Sequence, residues 1–193
     1  HSIIDELEGD DGELLAFGHA AEGYVLRAAG QLAASAGHFR QAEELSLRRT
    51  SHSAYLLAAY NTIMLKIVGS NLLAAEAYAR DVLETTETSH WQHVAGAGFI
   101  QGILAIALYE QFRLPEALDA IDSAIEILRS NQTYSYLGIA LCERARILFA
   151  QGEAERARCD LRFARRVARE HRIQRAELRA EVVEMRAELR AGN

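Results

Sequence analysis

Proline is almost missing from this chain: Pro115 is the only one in 193 residues. Cysteine is scarce too. Cys142 and Cys159 are too few for a disulfide framework and suit a reducing compartment, so a cytoplasmic location is expected. No apolar run reaches membrane-spanning length, and no membrane is expected among the partners. No signal peptide is visible. The start, His1-Ser2-Ile3, is not a methionine start, so the chain is expected to be a piece of a larger protein.

Chemical motifs are equally thin. The only lysine is Lys66, and no Gly-rich loop precedes it, which excludes a phosphate-binding loop. There is no Gly-x-Ser-x-Gly elbow. Acidic residues are spread over helix faces, without a pair isolated in an apolar setting. His90 and His93 are three apart near Trp91, yet no carboxylate or cysteine joins them at ligand spacing. They read as surface or capping residues. Cys142 and Cys159 each fall among apolar neighbours and read as small, inert hydrophobes. No catalytic residue, metal or cofactor is called for, and the chain is read as a binding protein rather than an enzyme.

What is abundant is helix former. Half the residues are hydrophobic, and alanine, leucine, glutamate and arginine dominate. The net charge of −6 argues against general nucleic-acid binding. That charge is uneven: residues 1–143 carry 8 basic and 19 acidic side chains, residues 144–193 carry 13 arginines and 8 acids. The arginine-rich end reads as a solvated face laced with ion pairs such as Arg166 with Glu170. An arm touching DNA or an acidic partner is the alternative.

Apolar spacing is helical nearly throughout, and no strand pattern emerges. Short breaks punctuate it at Gly37-His38-Phe39, Gly69-Ser70-Asn71-Leu72, Phe112-Arg113-Leu114-Pro115 and Gly152-Glu153-Ala154. Each is followed by an alanine: Ala42, Ala75, Ala117 and Ala157, at intervals of 33, 42 and 40 residues. Two-helix solenoid repeats use such intervals. Glycine supplies a left-handed C-cap, Pro115 fits a helix start, and alanine suits a close helix crossing. The expected helices are 13–36 and 39–50, 53–68 and 71–87, 91–111 and 115–130, 134–150 and 154–171, then a closing helix over 173–190. Residues 1–12 are read as a frayed lead-in and 13–193 as a single repeat domain. Leu178, Val182, Met185 and Leu189 would give the closing helix one apolar stripe with which to cap the stack.

These helix–break–helix units resemble tetratricopeptide repeats, most clearly over residues 141–168 and then 103–128. The consensus tryptophan and tyrosine are absent, and the intervals of 40–42 exceed the usual spacing. The long, alanine- and arginine-rich units over residues 69–83 and 154–170 resemble the superhelical sensor region of MalT-type regulators. Those are large ATP-binding bacterial transcription activators with a LuxR-type DNA-binding domain. The resemblance spans about residues 20–172. It implies a right-handed all-α superhelix of about four antiparallel pairs plus a capping helix. It also implies that the segment binds a small-molecule or peptide inducer, with DNA reached only through a domain absent from this chain.

In such stacks the first helix of each pair lines the concave surface. The inward candidates are Tyr24, Arg27 and Gln31; then Tyr60 and Met64 with Asn61; then Phe99, Ile106, Tyr109 and Glu110; then Cys142, Arg146 and Phe149. Aromatic platforms with a few charges suit a ligand pocket. That the aromatics are ordinary inter-helix core remains the alternative. Arg27 and Arg146 would be natural carboxylate or phosphate clamps. A scaffold for protein docking or homo-oligomerisation is the second reading, and it expects an exposed apolar patch.

Overall fold

The computed structural model describes residues 12–49 and 51–191, with side chains over 12–48 and 51–190. The expected lead-in over 1–12 lies outside the described residues, save Gly12. Among the described residues all regular structure is helical: α1 Gly12–Ala28, α2 Leu32–Arg49, α3 His52–Val68, α4 Leu72–Thr88, α5 Ala95–Glu110, α6 Leu114–Ser130, α7 Tyr134–Ala150, α8 Ala154–Glu170 and α9 Gln174–Ala191. The chain forms two compact units, His1–Gln92 and His93–Asn193.

Seven chain reversals share one construction. In each, the second residue after the helix end takes positive φ: Gly30, Ser70, His90, Phe112, Gln132, Gly152 and Arg172. The next amide reaches back five residues, as in Gln31 N–H to Leu26 C=O (2.9 Å) and Ile173 N–H to Ala168 C=O (2.7 Å). The left-handed residue itself donates three residues back, as in Gly30 to Arg27 (3.0 Å). This is the Schellman closure, and it satisfies carbonyls that a helix end leaves open. Glycine fills the left-handed position only twice. Gly69, expected there, stays at φ −76 as the C-cap of α3, and Ser70 turns instead.

A side chain at positive φ costs about 1–2 kcal/mol, which glycine avoids. Phe112 is the extreme case, with φ 60 and 87% exposure. Replacing Phe112 by glycine is expected to stabilise the protein by about 0.5–1 kcal/mol after the entropy glycine adds to the unfolded chain. A denaturant melt checks this, and lower stability would mean the ring makes contacts that matter.

The first expected break is not where the glycine pattern puts it. Gly37, His38 and Phe39 all lie inside α2, and the reversal occurs at Ala29-Gly30-Gln31. The repeat register follows Gly30, Ser70, Phe112 and Gly152, so the first interval is 40 residues rather than 33. Five residues on stand Ser35, Ala75, Ala117 and Ala157, each fully buried. The close-crossing position in the first pair therefore holds a serine. Its hydroxyl donates to the Gly23 carbonyl (2.7 Å), which removes the cost of burying it. Residues 91–94 precede α5 rather than belonging to it.

In the first unit the core gathers Phe39, Ala20, Ala42 and Ala58, with Leu57 and Leu65 against them. Gly23 makes room for the Phe39 ring: a Cβ there would lie 2.6 Å from its Cε1. Trp91 lies against His52 and Tyr55. In the second unit Ile100, Ile103, Ile121, Leu128, Leu141, Leu148 and Leu161 are buried to within 2% exposure. Pro115 sits in the first turn of α6, where its missing N–H removes no helix bond.

The closing helix uses the face opposite to the expected one. Ala176, Ala180 and Val183 are buried, whereas Leu178, Val182, Met185 and Leu189 are exposed. The reason is the close approach of α9 to α7. A Cβ on Gly138 would come within 2.9 Å of the Ala176 Cβ, so only small residues fit the seam. Cys142 belongs to this seam as well, its Sγ donating to the Ala176 carbonyl at 3.8 Å.

Candidate binding groove

In the second unit the first helices α5, α7 and α9 lie side by side. At their C-terminal ends they leave a hollow of about 470 Å³, with Ala154 and Arg158 of α8 at its edge. Tyr109 and Glu110 come from α5, Arg146 and Phe149 from α7, and Val183, Glu184, Ala187 and Glu188 from α9. Arg186 and Arg190 complete the wall.

Arg146 organises the floor. Its guanidinium lies 4.3 Å from the centroid of the Tyr109 ring. Nη2 donates to Glu110 Oε1 (2.8 Å) and Nη1 to Glu143 Oε2 (2.6 Å). Arg179 of α9 also donates to Glu143, through Nε at 2.8 Å and through Nη2. Burial disfavours the Arg146 charge, but Glu143, Glu110 and Tyr109 outweigh it and hold the pKa above its usual value. The expected clamp is thus already paired within the protein. It presents a fixed, stacked cation edge rather than a bare charge.

The neighbouring Arg144 faces elsewhere. It holds Asp160 with two bonds of 2.7 Å and Asp122 with a third, tying α7 to α8 and α6. The two hydrogen-bonded carboxylates outweigh burial and push its pKa up. Arginines of the C-terminal part are mostly used in pairs: Arg156 with the N-cap residue Glu153 and Arg158 with Glu155 at the start of α8, Arg165–Glu184 and Arg169–Glu177 between helices. Arg166 lies over the Phe163 ring, 4.7 Å from its centroid, and not in the expected pair with Glu170.

Of the sequence candidates, Tyr109, Glu110, Arg146 and Phe149 meet in this hollow. Ile106 is half-buried on α5, and Phe99 stacks on Tyr136 at 3.9 Å near the start of that helix. Cys142 is fully buried away from the hollow, and burial pushes its thiol up to about 12. Cys159, expected among apolar neighbours, is exposed. The remaining candidates belong to the first unit. Tyr24 is exposed beneath Arg27, whose guanidinium lies 5.2 Å from the ring centroid. The Arg27 Nε is buried without a hydrogen-bond partner. Gln31 falls in the reversal, not on α1, because the helix ends earlier than the glycine pattern suggests. Tyr60 and Met64 are half-buried on α3, while Asn61 is buried and spends its amide on the Leu57 carbonyl (2.8 Å). In the corrected register Tyr24, Met64, Ile106 and Arg146 are equivalent positions.

The contribution of α9 escapes a reading that treats it only as a cap. The signal was present: Arg186 stands 40 residues after Arg146. Elsewhere, His19 and His38 face each other with Nδ1 atoms 3.1 Å apart, and burial, then His38, lower the His19 pKa. His90 and His93 are exposed, and no group of three or more metal-ligating side chains forms among the described residues. No helix of the described residues is long and apolar enough to cross a membrane.

A sequence profile described as the MalT-like TPR region matches residues 3–193. Solved structures share the architecture at low identity. The apo form of RapI superposes with a TM-score of 0.75 at 16% identity, covering 94% of this chain and 65% of that one. BtubC (BKLC) from P. vanneervenii gives 0.68 at 16%, covering 88% and 69%. A Podospora anserina kinesin light chain of nearly identical TPR-like repeats gives 0.64 at 14%, covering 94% and 96%. Such likeness shows a shared fold. No curated protein matches the chain by sequence.

Proposed function

The chain belongs to the MalT-like TPR family, and from that premise we propose that it is the signal-sensing segment of a bacterial transcription regulator. Its ligand is a small molecule or short peptide held in the α5–α7–α9 hollow. The observation that carries this reading is the hollow itself. A volume of about 470 Å³ falls within the range of small-ligand sites. Its wall combines the faces of Tyr109 and Phe149 with the polar edge of Arg146, Glu110 and Arg186. An aromatic floor with a few fixed charges binds a flat or apolar body and orients one polar end.

Catalysis finds no support in this arrangement. The lining of the hollow includes no nucleophile next to a base, and its most buried arginine, Arg146, is already paired with Glu110 and Glu143. Binding would act by bridging three helices that come from separate repeats. A ligand gripping α5, α7 and α9 together resists their sliding past one another, so binding favours one arrangement of these helices.

Thermal melting against a panel of metabolites and short peptides tests the reading. A ligand at a hundred times its Kd should add about 2.7 kcal/mol of stability. Phe149→Ala is expected to weaken that ligand at least tenfold, whereas Tyr24→Ala, in the other unit, leaves it unchanged. A panel without any stabilising compound, or a ligand indifferent to Phe149→Ala, would count against the hollow as the sensing site.

A further inference from the structure

The outer face of α8 is strongly basic. Between residues 162 and 175 six arginines stand against one acid, Glu170. Arg162, Arg166, Arg169, Arg172 and Arg175 are exposed. Arg129 of α6 joins them: it and Arg166 both lie over the Phe163 ring, 6.0 and 4.7 Å from its centroid. Such stacking steadies the guanidinium planes and leaves their N–H groups for a ligand. Among the described residues Arg129, Arg162, Arg166, Arg172 and Arg175 form no ion pair, and Arg169 is held loosely by Glu177 at 3.5 Å. Exposure here belongs to the repeat. Forty residues earlier the positions of Arg162, Arg166 and Arg169 are held on α6 by Asp122, Glu126 and Arg129, all exposed although three further helices follow. Two acids on α6 thus correspond to two arginines on α8, and the outer face reverses its sign from one pair to the next. Solubility asks only for mixed charge, not for a reversal at fixed register.

We propose that this face binds the phosphate backbone of duplex DNA. Charge selects an anionic occupant, and the lack of an apolar anchor narrows it. A docking protein fills an apolar centre and leaves charge to the rim. Among the described residues α8 exposes no large apolar side chain. A single strand would need open aromatic rings for its bases, and the Phe163 ring already carries two arginines. Duplex phosphates ask only for cations at a suitable pitch. Arg162, Arg166 and Arg169 span about 10 Å of α8, over which one DNA strand presents about three phosphates. Arginine suits them because its fork grips two oxygens at once.

The net charge of −6 does not prevent this. At 0.1 M salt a charge acts over about 10 Å, so a phosphate at α8 responds to these arginines more than to the total. The contact reads backbone rather than bases. It therefore supplements the separate DNA-binding domain that the MalT-type resemblance implies. Choosing DNA over duplex RNA rests on the proposed role in a transcription regulator. The arginine face itself does not depend on the hollow binding any ligand.

Fluorescence anisotropy of the whole chain with a DNA duplex of about 20 base pairs, from about 20 to about 200 mM salt, tests this. Binding should weaken as salt rises, with a log–log slope of about −4 to −5 for about five phosphate contacts. Arg162→Ala and Arg166→Ala should each reduce that slope by about one. R162E/R166E should weaken binding roughly tenfold or more at the lowest salt while keeping the helical circular dichroism and melting temperature, because both side chains lie in solvent. Glu126→Arg, which extends the arginine pattern onto α6, should strengthen binding several-fold. No binding at the lowest salt would overturn the proposal, as would binding that R162E/R166E and Glu126→Arg leave unchanged. Polyglutamate competing as well as DNA at equal charge would overturn it in favour of an acidic protein. An RNA duplex bound more tightly than the DNA would overturn the choice of DNA. None of these outcomes bears on the hollow, whose own test is the melting panel.

Discussion

Replacing Phe39 by alanine is expected to cost about 3–5 kcal/mol, a large share of the stability of a unit this size. Phe39 is fully buried, the largest side chain at the centre of the first unit, and it lies directly against Gly23. Removing the ring loses its transfer free energy and leaves a hole that α1 and α3 cannot close without breaking their own contacts. Gly23→Ala approaches the same contact from the other side. Its added methyl would lie 2.6 Å from the ring, so the ring or helix must shift, at about 1–3 kcal/mol despite the better helix propensity. Hydrogen exchange should localise both losses to α1, α2 and α3. Wild-type protection there in Phe39→Ala would show that the ring is not what holds the three helices.

Glu143→Ala is expected to be the most damaging change in the second unit, at about 2–4 kcal/mol. The carboxylate is 5% exposed and joins Arg146 to Arg179, and thus α7 to α9. Its loss strands Arg146, only 15% exposed, beside a single remaining partner, Glu110. The figure stays below that of a fully buried pair because Arg179 is 38% exposed and solvent screens its share. Glu143→Gln separates charge from shape, since an amide can still accept from one arginine. Alanine and glutamine variants of equal stability would show that packing, not the ion pair, holds α9 in place. Any ligand of the hollow should also lose affinity in Glu143→Ala, because Arg146 is then free to leave the Tyr109 ring.

The fold was legible because it is repetitive and helical. Apolar spacing of 3.6 and the buried alanines at 75, 117 and 157 carried the architecture, and those alanines are indeed fully enclosed. Glycine misled at the start of the chain. Gly37 looks like a break, yet it lies mid-helix with open space around its missing Cβ, while Gly30 makes the turn. Glycine's meaning depends on φ, which the sequence does not display. The α9 stripe misled for a related reason. Large apolar residues normally mark the buried face, but the tight approach at Gly138 leaves room only for alanines. Spacing revealed that a face existed and left its direction open. Within the groove, Tyr109, Glu110, Arg146 and Phe149 were visible through the register. The pairing of Arg146 with Glu110 was not, because it joins α5 to α7 across 36 residues of sequence.

The Schellman reversals have an evolutionary corollary. A corner clasped by amide and carbonyl groups makes few demands on identity, and serine, histidine, phenylalanine, glutamine and arginine all occupy it here. Substitutions at such corners would alter what the molecule shows to its surroundings while sparing its skeleton. New recognition chemistry could therefore be sampled at the tips for a penalty near 1 kcal/mol apiece.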